Sequence, residues 1–277
     1  MNPEKGSYAI LSHTWGPDEV PFQKDLTSAK WMQEFAKIEK TYELAKEGNI
    51  QYAWVDTCCI DKSSSAELSE AINSMFRWYQ EAAVCFALKG SRWIRRGWAL
   101  QELLAPKNVE LYDGNWEFMD SKDSQLLDAL SEATVIDSIY LGGDDYIWSA
   151  TVGTQMRWAS KRETNRLEDT AYCLLGIFDI NMPLIYGEGD KAFIRLQEEI
   201  CKQTNDLYMF AWTEQPGNPL SYSSPKKHRG IFACHPCEFA AFQGLHRRDV
   251  GCNFKGEFAV TSRDSPNTRL QRLSPPK

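Results

Sequence analysis

The chain has 277 residues, 43% of them hydrophobic and 25% charged, a globular composition with room for one large domain or two modest ones. Its net charge of −7 disfavours nucleic acid and anionic membrane surfaces as partners, and no apolar run approaches the ~20 residues of a bilayer span. The start, MNPEKGSYAIL, lacks the basic opening and long apolar core of a signal peptide, so the cytoplasm is the expected compartment.

Ser7 to Leu11 is a short β-prone run, ended by the polar and aromatic SHTWG. A helix follows, capped by Thr27, with Trp31, Phe35, Ile38 and Tyr42 at helical spacing and Gly48 at its close. QYAWVD (51–56) is mostly apolar and reads as a second strand buried on both faces. DKSSSAEL opens the next helix, in which Ser64 and Glu67 are spaced as a capping box. Leu68, Ile72, Met75, Phe76 and Tyr79 form its apolar stripe. AVCFAL (83–88) and NVELYD (108–113) are the third and fourth strands, with a short helix around Glu102 between them. Strands alternating with helices predict an open, mostly parallel α/β sheet, flanked by helices, over residues 1–120.

Between 122 and 203 the periodic segments are helical: SQLLDAL, TVGTQMRWASK, RLEDTAYCLLGIF and KAFIRLQEEICKQ. They read as a helical extension over residues 121–213, packed on the sheet as part of one unit. Turn-forming residues dominate after that, and residues 214–277 are expected to be an irregular or partial segment.

In open parallel sheets, ligands bind beyond the carboxyl ends of the strands. That rule selects Ser12, His13, Thr14 and Trp15 after the first strand, and Asp56 and Thr57 after the second. It also selects residues 89–104 after the third strand and Asp113 after the fourth. The phosphate-cradling patterns GxGxxG and GxxxxGK[ST] are absent. YGEGDKAF (186–193) can hold an anion at a helix N-terminus, although a plain turn and helix start is the favoured reading. Cys58, Cys59, Cys85, Cys173 and Cys201 lie in apolar or helical stretches and read as small buried hydrophobes. Cys234, His235, Pro236 and Cys237 have the form of a dithiol motif, and with His246 and Cys252 they offer a Cys3His zinc set. No strand-then-helix context supports a redox site there, and no metal is expected.

Three blocks bring a family into view: YAILSHTWG (8–16), YAWVDTCCIDKSSSAELSEAINSMFRWY (52–79) and SRWIRRGWALQELLAP (91–106). They resemble the heterokaryon-incompatibility (HET) domain, the fungal module of non-self recognition and regulated cell death. Residues 157–200 and LYMFAW (207–212) resemble the subgroup of that family found ahead of nucleotide-binding and repeat modules. The resemblance covers residues 7–213. Two departures accompany it: only Lys89 and Gly90 stand where family members carry a longer insertion, and the tail diverges after RGIFACHPCEFAAF. HET domains are in turn similar to TIR domains, flavodoxin-like sheets of which some cleave NAD with a glutamate in a segment of the type S-x-W-C-x-x-E-L. Ser91, Trp93, Trp98, Glu102 and Leu103 give a looser version of that segment.

By this resemblance Glu102 is the catalytic carboxylate, NAD the substrate, and no cofactor is required. Cleaving the nicotinamide–ribose bond passes through an oxocarbenium-like state that a nearby carboxylate stabilises, and the leaving group departs neutral without a general acid. Trp15 and Trp98 are then candidates to stack on a base or on nicotinamide, Arg95 or Arg96 to hold the diphosphate, and Ser12 or Asp56 to bind ribose hydroxyls. Each has a plainer reading. Glu102 can be a salt-bridged helix residue, Trp98 a core residue, His13 a hydrogen-bonded structural histidine, and Asp56 and Asp61 turn caps. The competing function is a signalling module that acts by self-association or by contact with nucleotide-binding/repeat receptor proteins.

Overall fold

The computed structural model describes residues 7–22, 34–88, 90, 92–122, 126–143, 146–214 and 230–243. Five strands form one open sheet: β1 (Tyr8–Ser12), β2 (Tyr52–Trp54), β3 (Val84–Leu88), β4 (Val109–Tyr112) and β5 (Phe118–Ser121). Their order is β2-β1-β3-β4-β5, with β1 to β4 parallel and β5 antiparallel to β4. The parallel strands are joined in sequence by α1 (Phe35–Glu47), by the single turn α2 (Asp56–Cys59) with α3 (Ser65–Glu81), and by α4 (Ala99–Leu104). This is the flavodoxin-like order, whose direction of winding reverses between β1 and β3.

Strand alternation divides the core. Tyr8 and Ile10 of β1, Cys85 and Ala87 of β3, and Val109 and Leu111 of β4 face the larger cluster, built with α3, α4 and the helices after residue 126. Ala9, Leu11, Val84, Phe86 and Tyr112 face the smaller one, which α1 covers through Ala45, Ile38 and Leu44. The helical region comprises α5 (Leu126–Thr134), α6 (Ser138–Leu141), α7 (Val152–Ala159), α8 (Asp169–Tyr172), α9 (Leu175–Phe178) and α10 (Lys191–Gln203). Residues from all six of its helices contribute to the larger cluster, so this region is one layer of the same core.

Several expectations change. β2 is an edge strand, not a doubly buried one: it pairs only with β1, and Tyr52 is 50% exposed. Tyr42 faces solvent at 55% exposure, while Thr41 and Ala45 are buried, so the covering face of α1 is rotated from the aromatic spacing. Thr27 and Trp31 lie outside the described residues. β5 had no strand pattern because Phe118 and Met119 are exposed on an edge. RLEDTAYCLLGIF breaks into two short turns, α8 and α9. The Ser64 hydroxyl accepts from the Glu67 amide at 3.3 Å, but the Glu67 carboxylate returns to the Asp61 amide at 3.1 Å, so only half of the capping box forms. In the tail, Phe232, Ala233 and Phe239 are buried in the main core, and the Gln197 side chain brackets Ala233 at 2.9 and 3.0 Å.

The two glycines of YGEGD do gather an anion, and it belongs to the chain. The Gly187 and Gly189 amides, with φ of 104° and 63°, both donate to one Glu168 carboxylate oxygen, at 2.7 and 3.0 Å.

Gly176 sets the closeness of α9 to α3: a Cβ there would sit 2.1 Å from Cβ of Phe76. Gly176→Ala is therefore expected to cost about 1–3 kcal/mol through overpacking, seen as a lower urea midpoint. Gly114→Ala, which meets nothing within 4 Å, should change stability by less than about 0.5 kcal/mol.

Candidate functional site

The winding reverses between β1 and β3, the place where open α/β sheets bind ligands, and buried polar residues Ser12, His13 and Glu102 meet at this strand end. Ser12 has the same parity as Tyr8 and Ile10, so its hydroxyl points to the face that α4 covers. It donates to Glu102 Oε2 at 2.5 Å and accepts from the Trp93 indole N–H at 2.7 Å. All three residues are buried, Glu102 at 5% exposure. The Tyr79 hydroxyl, from α3, donates to the Leu11 carbonyl at 3.0 Å and ties the same strand end.

A second polar chain runs outward from the first. His13 Nε2 lies 3.1 Å from Asp56 Oδ1, and His13 Nδ1 lies 3.3 Å from Lys37 Nζ. An ammonium can only donate, so Nδ1 is the accepting nitrogen and Nε2 carries the hydrogen that Asp56 accepts. Lys37 also donates to the Thr14 carbonyl at 3.0 Å and pairs with Glu19 at 2.9 Å and Glu34 at 2.7 Å. The other Asp56 oxygen accepts from the Trp15 indole N–H at 2.8 Å. Trp15 is 47% exposed, and Lys62 Nζ lies 3.6 Å from the centroid of its ring. Arg96 links the two chains, donating to the His13 carbonyl.

Environment separates the two carboxylates. Burial pushes the Glu102 pKa up and the charge of Asp56 adds to this, while Arg96, the Ser12 hydroxyl and His13 offset only part of it. For Asp56, burial also acts upward. There the hydrogen bond and charge of His13, then Lys62 and Arg96, outweigh burial and hold the carboxyl below its ordinary range.

Of the residues selected from sequence, Ser12, Trp15, Asp56, Arg96 and Glu102 come together. Trp98 does not join their polar chain: its side chain bonds Asp169, and its ring packs against the main core at the start of α4. His13 has the structural role of orienting Asp56. Ser91, His246 and Cys252 lie outside the described residues. Among the described residues no group of three or more His, Cys, Asp or Glu is arranged to hold a metal, and none of the described helices is long and apolar enough to cross a membrane. Cys85, Cys173 and Cys201 are buried free thiols, whereas Cys58 and Cys59 are only partly buried.

Three participants escaped sequence reasoning. Lys37 and Glu19 carry no pattern that joins them to His13. Arg162 does so still less: it is buried, its guanidinium bonds the carbonyls of Ile94, Arg96 and Trp158, and it fixes the segment leading into α4. Gly97 completes that clamp, its amide donating to the Glu163 carbonyl at 2.8 Å.

The family model described as "Heterokaryon incompatibility protein (HET)" matches residues 8–92, a span that holds Ser12, His13, Trp15 and Asp56. The vegetative incompatibility protein HET-E-1 of Podospora anserina is 42% identical over 225 residues, which is 72% of this chain and 16% of that protein. The chain thus spans about a sixth of the length of this curated relative. No solved structure matches the chain. With the family model matching residues 8–92 and this relative 42% identical over 72% of the chain, the chain belongs to the heterokaryon-incompatibility (HET) domain family.

Proposed function

We propose that this HET domain is an effector of fungal heterokaryon incompatibility and regulated cell death that acts by TIR-like hydrolysis of NAD, with Glu102 as its catalytic carboxylate. The observation carrying this reading is the buried Glu102 carboxylate, bonded to Ser12 at the β1/β3 switch point and facing the same polar cluster as Asp56. In the reaction the C1′–N bond breaks and its electron pair returns to the pyridinium nitrogen, which leaves as neutral nicotinamide. Water oxygen bonds to C1′ and releases one proton, giving ADP-ribose. Glu102 stabilises the positive charge that develops at C1′. Its raised pKa suits it to a cationic substrate, whose charge favours the ionised carboxylate on arrival. In this reading Ser12 or Asp56 binds ribose hydroxyls, Trp15 stacks on a ring and Arg96 holds the diphosphate.

The competing reading is a signalling module that triggers death by self-association or by contact with nucleotide-binding/repeat receptors. The 5% exposure of Glu102 favours it, because a substrate must reach that carboxylate. Purified protein incubated with NAD at high concentration separates the two. The hydrolase reading expects nicotinamide release that falls about 10²–10³-fold in Glu102→Gln. Cell killing that persists in Glu102→Gln, with no release from either protein, selects the signalling module.

Release is also expected to rise with pH through the elevated pKa of Glu102 and then level off, as the carboxylate ionises. Stability should move the other way. Folding raises the pKa of Glu102, so the folded chain holds this proton where the unfolded chain has lost it. The stability this gives is present below the ordinary glutamate range and is lost as pH rises through the folded value. Urea midpoints of Glu102→Gln should therefore gain on those of the parent as pH increases, and parallel curves would remove this assignment.

A further inference from the structure

Trp15 is an exposed aromatic ring that is nevertheless held in place. An exposed indole ordinarily samples several rotamers, but here its N–H is bonded to Asp56 at 2.8 Å. Asp56 is held by His13, and His13 by Lys37, so the orientation of the ring is set by a chain of contacts running back to α1. A ring held this way presents a fixed π face to solvent, with a carboxylate at its edge.

That face is occupied by a cation from the chain itself. Lys62, in the turn after α2, places its ammonium 3.6 Å from the ring centroid and is attracted by Asp56 and Glu19. An aromatic face beside a carboxylate that is held ionised is a recognition surface for positive charge, because the ring quadrupole and the carboxylate act in the same sense. Lysine suits this face poorly as a permanent occupant. Its ammonium is compact and strongly hydrated, and it contacts the ring at one point; a flat delocalised cation is weakly hydrated and covers the whole ring.

We propose that Trp15 and Asp56 form a receptor for a flat cationic ring, and that Lys62 occupies it in the resting protein as an internal stand-in. The identity of the natural occupant rests on the hydrolase reading, under which it is the pyridinium of an oxidised nicotinamide nucleotide. The receptor itself does not rest on that reading. The neutral dihydronicotinamide form lacks the charge that this surface selects, so the site discriminates oxidised from reduced nucleotide before any bond is broken. Lys62 must move aside for binding, which makes the turn that carries it a competitor for the ligand.

Binding of 1-methylnicotinamide, neutral nicotinamide and tetramethylammonium to the full chain, followed by calorimetry and ligand-observed NMR, tests this without reference to turnover. The flat cation should bind at least about tenfold more tightly than either the neutral ring or the non-planar cation. Lys62→Ala should tighten binding of the flat cation about two- to fivefold, the equivalent of one exposed cation–π contact. Trp15→Leu and Asp56→Asn should each weaken it by tenfold or more. Lys62 and Trp15 are exposed, so their variants keep the test decisive even where Asp56→Asn unfolds the chain. Equal affinity for the charged and neutral rings, or a Lys62→Ala variant that binds no more tightly than the parent, overturns the proposal. A chain that binds the flat cation but releases no nicotinamide from NAD keeps the receptor and loses the hydrolase reading. Release of nicotinamide without selective binding of the cation does the reverse.

Discussion

A carboxylate taken out of water must be compensated where it sits, and the burial of Glu102 organises this end of the molecule. Its compensation is partial: one hydrogen bond from Ser12 and the charges of Arg96 and His13 stand against desolvation and a second carboxylate at Asp56. The Trp93 indole polarises the Ser12 hydroxyl toward Glu102 by donating to its oxygen. Three elements therefore meet at one oxygen atom: β1 through Ser12 and, more than 80 residues later, the turn Trp93–Arg95 through its first residue and α4 through Glu102.

Such a meeting needs α4 to be placed accurately, and six residues of helix do not place themselves. The helical region does it. Arg162 bonds the carbonyls of Ile94 and Arg96, Gly97 is bonded to Glu163, and a Cβ at Gly97 would collide with Thr164 and Cys173. Arg162 is buried deeply enough that its pKa is lowered to about 10, yet it spends its guanidinium on backbone carbonyls. What looks in sequence like an appended helical extension is a structural support for the segment that carries the candidate catalytic residue.

The legible part of this protein was the part governed by periodicity. Alternating strands and helices gave the parallel sheet, and the strand-end rule then selected Ser12, His13, Trp15 and Asp56, because position after a strand is a local property. Edges were not legible: whether QYAWVD is central or peripheral depends on strand order, which no local pattern carries, and Tyr52 proved exposed. Contacts between distant residues failed for the same reason. Trp98 sits four residues from Glu102 on one short helix, but its ring bonds Asp169 while Glu102 points to Ser12. Lys37 and His13 are 24 residues apart and join only because α1 crosses the end of β1. For the paired glycines at 187 and 189 the sequence favours a plain turn and helix start, and only the fold shows that their amides hold Glu168 of the same chain.

The two carboxylates end with opposite displacements although they share neighbours in His13 and Arg96. Asp56 has His13, Lys62 and Arg96 beside it, so it carries its charge at rest at the outer, partly exposed edge. Glu102 lies deeper, with less compensation and with Asp56 itself acting against its ionisation. The Lys62 ammonium beside Asp56 already offsets part of that repulsion at rest, so under the proposed exchange a ligand cation takes over its part and does not add to it. Charge at the inner carboxylate is thus coupled to occupancy of the outer one. In the proposed site, loss of that cation without replacement would make Glu102 harder to ionise, and a positively charged ligand in place of Lys62 would keep its ionisation within reach.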